Sequence, residues 1–205
     1  PYGNRSAETV RLYAQQCAAF LLSHDVKMIV VACNTVSALA LDALRATLPV
    51  PVIGVIEPAA RVAAERTKNG NIGVIGTRAT IASESYARAI TSAASRTVHV
   101  HSRACPLFVP LVEEGWLDTP ATRLIAEEYV RPLVANGIDT LVLGCTHYPL
   151  LAPVLRSLLP MVDLVDCGEA AAEDARRALG IEVTTATHAP VISLYVTDTT
   201  PAFTL

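Results

Sequence analysis

Short apolar runs rich in valine and isoleucine alternate along this chain with longer stretches whose apolar residues recur at helical spacing. Residues 26–33 (VKMIVVAC), 51–56, 72–76 (IGVIG), 98–104, 140–145 (TLVLGC) and 162–166 are predicted as strands. Residues 37–48 (SALALDALRATL), 58–67, 81–93, 121–135, 150–159 and 169–179 are predicted as helices, and Cys17 sits on a further helix near the start. Strands that stay apolar throughout, rather than alternating, suit a parallel sheet covered on both faces by crossover helices. The pattern predicts an α/β protein.

The pattern also repeats. A strand ending in Cys33 (IVVAC) and a strand ending in Cys145 (LVLGC) are each followed by polar residues, a helix, a second strand and an acid. The acid, Glu57 or Glu169, stands 24 positions after its cysteine in both segments. A shared cysteine at the same strand end points to internal pseudo-symmetry. The second unit is preceded by two further strands, beginning near Asn71, that have no counterpart ahead of the first. The repeat predicts roughly 35–45 additional residues, holding two strands, before Pro1. The end at Ala202–Leu205, without a closing helix, suggests trimming there as well.

Composition narrows the classes. The chain has 205 residues, 52% hydrophobic and 17% charged, so a folded core is expected rather than disorder. Its apolar runs fall far short of the roughly 18–20 residues of a membrane span, so a soluble protein with no membrane partner is expected. A formal charge of −3 and the lack of a Lys/Arg run argue against a nucleic-acid partner. Five cysteines, an odd number without a CxxC pair, and no secretory signal fit a reduced, cytoplasmic protein. The five histidines show no HxxxH or HExxH spacing, so no metal site is expected.

Open α/β sheets bind ligands at the carboxyl ends of their strands, where Cys33 and Cys145 are placed. A helix N-terminus after each would favour thiolate over thiol and attract carboxylates. A free thiol, with a pKa of about 8.5, needs only a modest downward push to serve as a base near neutrality. Asn34–Thr35 and Thr146–His147 add donors at the same two places. Two such thiols facing each other across a cleft could remove a proton from one face of a carbon and deliver one to the other. No cofactor is needed for that, and none is signalled.

These residues carry a resemblance. ACNT at 32–35 and GCTHYPLL at 144–151 resemble the two catalytic signatures of the glutamate racemases, in the aspartate/glutamate racemase superfamily. PYG at 1–3, VIGVIEPA at 52–59, IGVIGTRAT at 72–80, CPLFVPLVEEG at 105–115 and VTD at 196–198 extend it along the chain. The resemblance implies two pseudo-symmetric domains, each with a parallel sheet flanked by helices, and an active site in the cleft between them. Residues 1–58 with 168–205 would form the first domain and 59–167 the second. It further implies that Cys33 takes the proton from D-glutamate and Cys145 the proton from L-glutamate, with His147 assisting Cys145. Tyr2, Gly3, Asn34, Thr35, Thr146 and His147 match substrate-binding positions, Thr77 and Thr80 a loop near the substrate carboxylate, and Glu113 a supporting acid. D-glutamate for peptidoglycan, the absence of a cofactor and a homodimer are implied in the same way. The Asp-Ser-Gly motif of the resembling family, which supplies an acid beside the first cysteine, is missing from these residues, so activity of this segment alone is in doubt.

Alternatives are a racemase for aspartate or another amino acid, a non-catalytic binding protein on the same scaffold, and a thiol redox protein. His147, where aspartate enzymes more often carry Glu, favours glutamate, and the lack of CxxC disfavours redox chemistry. Cys105 and Cys167 follow strand ends and could approach the cleft. Cys17 is expected in the core, Trp116 as a packing anchor, and His24, His99, His101 and His188 in surface or structural roles.

Overall fold

The computed structural model describes residues 2–181 and 191–197. The expectations for His188 and for 202–205 lie outside the described residues, as does Asp198 of the VTD match. Two parallel sheets form the frame. Strands β1 (Ile29–Val31) and β2 (Val52–Gly54) pair with Ile29 opposite Val52. Strands β3 (Asn71–Gly76), β4 (His99–Ala104), β5 (Thr140–Gly144) and β6 (Asp163–Asp166) make a second sheet in the order β4-β3-β5-β6. Nine α-helices connect them among the described residues: α1 (Ala7–Leu22), α2 (Asn34–Thr47), α3 (Ile56–Arg66), α4 (Arg78–Ala82), α5 (Ser85–Ala93), α6 (Phe108–Glu113), α7 (Pro120–Ala135), α8 (Ala152–Leu158) and α9 (Cys167–Ala178). The α/β class with helix-flanked parallel sheets is thus as the apolar pattern predicts.

Burial separates central strands from edges. Leu141 and Leu143 of β5 join Ile75 of β3 in a core with Phe108, Val130 and Leu155 from α6, α7 and α8. Val142 points the other way, with Ile72 and Val74, onto Ala59, Ile90 and Ala171 of α3, α5 and α9. Each such fully buried aliphatic side chain contributes about 1.5–3 kcal/mol. Cover on both faces therefore holds for β3 and β5. It does not hold for β1, where Ile29 and Val31 pack under α1 and α2 but Val30 is exposed.

Several elements differ from their predicted extents, and three of them do so for a local reason. β1 begins only at Ile29 because its partner β2 is preceded by Pro51, which has no N–H to extend the ladder, and it ends before Cys33, the N-cap of α2. The helix predicted at 81–93 is broken into α4 and α5 by Glu84, which is left-handed at φ 55°. There the Ser83 hydroxyl donates to Thr80 O at 2.6 Å and accepts from the Ser85 N–H, competing with the helical ladder. The helix predicted at 150–159 is split as well. A continuous helix would need Pro153 to donate to Pro149 O, which it cannot do. A 3₁₀ turn, Tyr148–Leu151, precedes α8 instead, and the Ala152 N–H takes the Pro149 carbonyl.

Two packing expectations are overturned. The apolar stripe of α1 is Val10, Ala14 and Ala18, so Cys17 lies off it and is exposed. Trp116 follows a turn at Gly115 and leaves half its surface in solvent, so it is no packing anchor. Among the described residues no helix is long and apolar enough to cross a membrane.

Candidate active site

The connections from β3 run to β4 on one side and from β4 back to β5 on the other, which makes the carboxyl ends of β3 and β5 a topological switch point. A cavity of about 840 Å³ opens there, between these ends and the end of β1. The eight residues matched to catalytic or substrate-binding positions line it: Cys33, Asn34 and Thr35 after β1, Cys145, Thr146 and His147 after β5, and Tyr2 and Gly3 from the start of the chain. Thr77 and Glu113 line it too, while Thr80 is set back behind Thr77. Its size suits a small molecule.

The two thiols sit differently. Cys33 is the N-cap of the 14-residue α2, in extended conformation at φ −74° and ψ 121°, and is part-exposed. Cys145 is 6% exposed and is followed by the 3₁₀ turn rather than an α-helix. Its pKa is pushed up to about 11, first by burial, and further by the proximity of Cys33 and Cys167. The His147 backbone N–H and the Thr146 side chain pull it down, but do not outweigh burial. The expected downward push is therefore overturned at Cys145, because removing a thiolate from water costs more than two hydrogen bonds return. The His147 ring has neighbours on both sides: Nδ1 is 3.8 Å from Cys145 Sγ and 3.4 Å from Thr146 Oγ1, and Nε2 is 3.4 Å from Glu113 Oε1.

Around Cys33 the polar groups are committed inside the protein. Asn34 Oδ1 accepts from the Tyr86 hydroxyl at 2.6 Å, and Asn34 Nδ2 donates to Cys167 Sγ at 3.2 Å. Thr35, Thr77 and Thr80 form a buried hydroxyl triangle with sides of 2.9, 3.3 and 3.0 Å. Thr77 also caps α4 by accepting from the Thr80 N–H. Gly3 fits against this triangle because it lacks a side chain. A Cβ there would lie 2.8 Å from Thr77 Cβ. Tyr2 has its phenol pKa raised, by burial first and then by the nearby thiols of Cys17 and Cys33.

Lining residues not singled out from the pattern include Arg78, Tyr129 and the apolar wall Leu107 and Val109. The proline-rich CPLFVPLVEEG segment held the signal for that wall, but no periodicity marked α6 as a helix. Cys105 and Cys167 are buried and do not line the cavity, and burial raises both thiol pKa values. Among the described residues no group of three His, Cys, Asp or Glu side chains could hold a metal ion.

The Asp/Glu/Hydantoin racemase family model matches residues 1–175. Glutamate racemase of Syntrophus aciditrophicus is 49% identical over 201 residues, 97% of this chain and 74% of that protein. Among solved structures, glutamate racemase isoform RacE1 of Bacillus anthracis superposes with a TM-score of 0.84 at 41% identity, covering 88% of this chain and 68% of that one. Glutamate racemase of Francisella tularensis, solved in complex with D-glutamate, superposes with a TM-score of 0.81 at 36% identity, covering 88% and 67%.

Proposed function

The chain belongs to the Asp/Glu/Hydantoin racemase family, and on that premise we propose that it interconverts L-glutamate and D-glutamate by proton transfer between two cysteines. The observation that carries the reading is the convergence of Cys33 and Cys145, from the ends of two different sheets, on one cavity of small-molecule size. In the D-to-L direction the Cys33 thiolate takes the α-proton and the Cys145 thiol delivers its own proton to the opposite face of the carbanion. Cys33 is left as thiol and Cys145 as thiolate, and the reverse reaction restores them. His147, 3.8 Å from Cys145, is placed to assist that thiol, with Glu113 behind it. Thr146 and backbone N–H groups at the start of α2 offer donors for substrate carboxylates.

In this reading residues 1–58 with 168–205 and residues 59–167 are the two domains, the enzyme works in the cytoplasm without a cofactor, it assembles as a homodimer, and its D-glutamate goes to peptidoglycan. The glutamate racemases among the relatives support the substrate.

The test is α-proton exchange in deuterated water, together with circular dichroism on glutamate and on aspartate. The equilibrium constant of a racemisation is one, so kcat/KM must be equal in both directions and cannot report which cysteine serves which enantiomer. Exchange can. Cys33→Ser should abolish inversion, by at least about a thousandfold, and should stop exchange into D-glutamate while leaving some into L-glutamate. Cys145→Ser should do the reverse. Full inversion by both variants would sink the two-thiol mechanism, and turnover of aspartate instead would replace the substrate.

A further inference from the structure

Two-face proton transfer needs the two thiols held at a fixed separation, yet they rise from different sheets. One buried side chain reaches both strand ends. Tyr86, on the first turn of α5, is 2% exposed. Its hydroxyl donates to Asn34 Oδ1 at 2.6 Å, at the residue directly after Cys33. Its ring lies against Gly144, the residue directly before Cys145, so closely that a Cβ on Gly144 would sit 3.0 Å from Tyr86 Cε2. Asn34 is 1% exposed and completes the link by donating to Cys167 Sγ at the start of α9. Neither Tyr86 nor Cys167 lines the cavity.

We propose that Tyr86 is a positioning residue that sets the separation of Cys33 and Cys145, with its ring braced on the Cys145 strand and its hydroxyl latched to the Cys33 helix. The proposal rests on the two-thiol reading given above. A phenol suits the task because a six-membered ring is rigid over its length, while its hydroxyl needs a buried partner, which Asn34 provides. The latch has two anchors. Asn34 accepts from Tyr86 with its oxygen and donates to Cys167 with its nitrogen, so one buried amide joins both groups. The start of α2, and with it Cys33, is thereby referred to the same side chain that supports Gly144.

The consequence is specific to a two-base reaction. Removal and return of a proton on one face needs one thiol in place, whereas inversion needs both within reach of the same carbon. Loosening the strut should therefore uncouple the two. The experiment measures inversion by circular dichroism and deuterium incorporation by mass spectrometry, on wild type, Tyr86→Phe and Tyr86→Leu, each checked for an unchanged fold by thermal melting. Tyr86→Phe keeps the brace and loses the latch, and should lower inversion about tenfold while single-face exchange stays within about twofold. Tyr86→Leu loses both and should widen that gap to about a hundredfold. Equal losses of inversion and exchange in the Tyr86 variants, or wild-type values of both, would overturn the positioning role. If wild type itself neither inverts nor exchanges glutamate, the two-thiol reading fails and the proposal with it. If wild type does both, only the variants decide.

Discussion

The strand ends that carry Cys33 and Cys145 occupy matching places in an internal repeat, and they are built to opposite tolerances. Before Cys33 stands Ala32, exposed at the end of a two-stranded sheet. Before Cys145 stands Gly144, pressed between Ile75 O, which an added Cβ would meet at 2.6 Å, and the Tyr86 ring. After Cys33 an uninterrupted helix offers its N-terminus, while after Cys145 prolines at 149 and 153 impose a 3₁₀ turn first. The helix of the first unit ties Arg45 to Glu57 through two bonds of 2.7 and 2.6 Å, and the matching positions of the second, Ser157 and Glu169, make no such pair. The repeat thus conserves where a thiol is placed and not the environment that sets its behaviour. An open site and a closed one face each other across the same cavity.

The difference can be broken most severely at the residues before the cysteines. Gly144→Ala should cost about 2–4 kcal/mol in thermal or denaturant unfolding, because the nearest contact is backbone that cannot step aside. Ala32→Gly at the exposed counterpart should cost below about 1 kcal/mol. Comparable losses at both would mean the two ends are equally packed.

A smaller effect separates the sites by pH. The Cys145 thiol pKa is raised to about 11, first by burial. A raised pKa means the folded protein keeps a proton that the unfolded chain gives up, so this contribution is complete below pH 9 and is lost as pH rises toward 11. Cys145→Ala should flatten the alkaline loss of stability by up to about 2–3 kcal/mol between pH 8 and 11, read from urea midpoints. An unchanged pH slope would refute the burial argument for this thiol.

The smallest effect lies at the acids that close each unit. Glu57 is lowered, chiefly by its hydrogen bonds from Arg45, so its contribution is present above the normal carboxylate range and fades as pH falls through it. Its side chain is 47% exposed, and solvent screening limits the gain to about 0.5 kcal/mol. Glu57→Gln should cost about that much at pH 7 and nothing at pH 3, and Glu169→Gln should be neutral at both. A larger loss at Glu169 would reverse the comparison.

Much of this was legible in the residue pattern, and the exceptions are instructive. The continuous apolar runs LVLGC and IGVIG mark central strands because a strand buried on both faces has no place for a polar residue, and β5 and β3 are such strands. The same logic overreached at β1, since a run of apolar residues does not say how many neighbours its strand will have. The split at Glu84 escaped periodicity because it depends on what the Ser83 hydroxyl bonds to. Cys17 was misplaced because an apolar stretch on a helix does not reveal which stripe turns inward.

The sequence by itself determined the α/β class, the repeat, the two thiols and their Asn-Thr and Thr-His neighbours, since all of these are local patterns of residue type and spacing. Only the tertiary structure decided that Cys145 is buried with a raised pKa while Cys33 caps a helix, that the Asn34 amide is already engaged, and that Tyr86 touches both strand ends. The physical reason is range. Propensity and periodicity act over a few residues, whereas desolvation and buried hydrogen bonds depend on neighbours brought from tens to more than a hundred positions away, as Asn34 meets Tyr86 and Cys167.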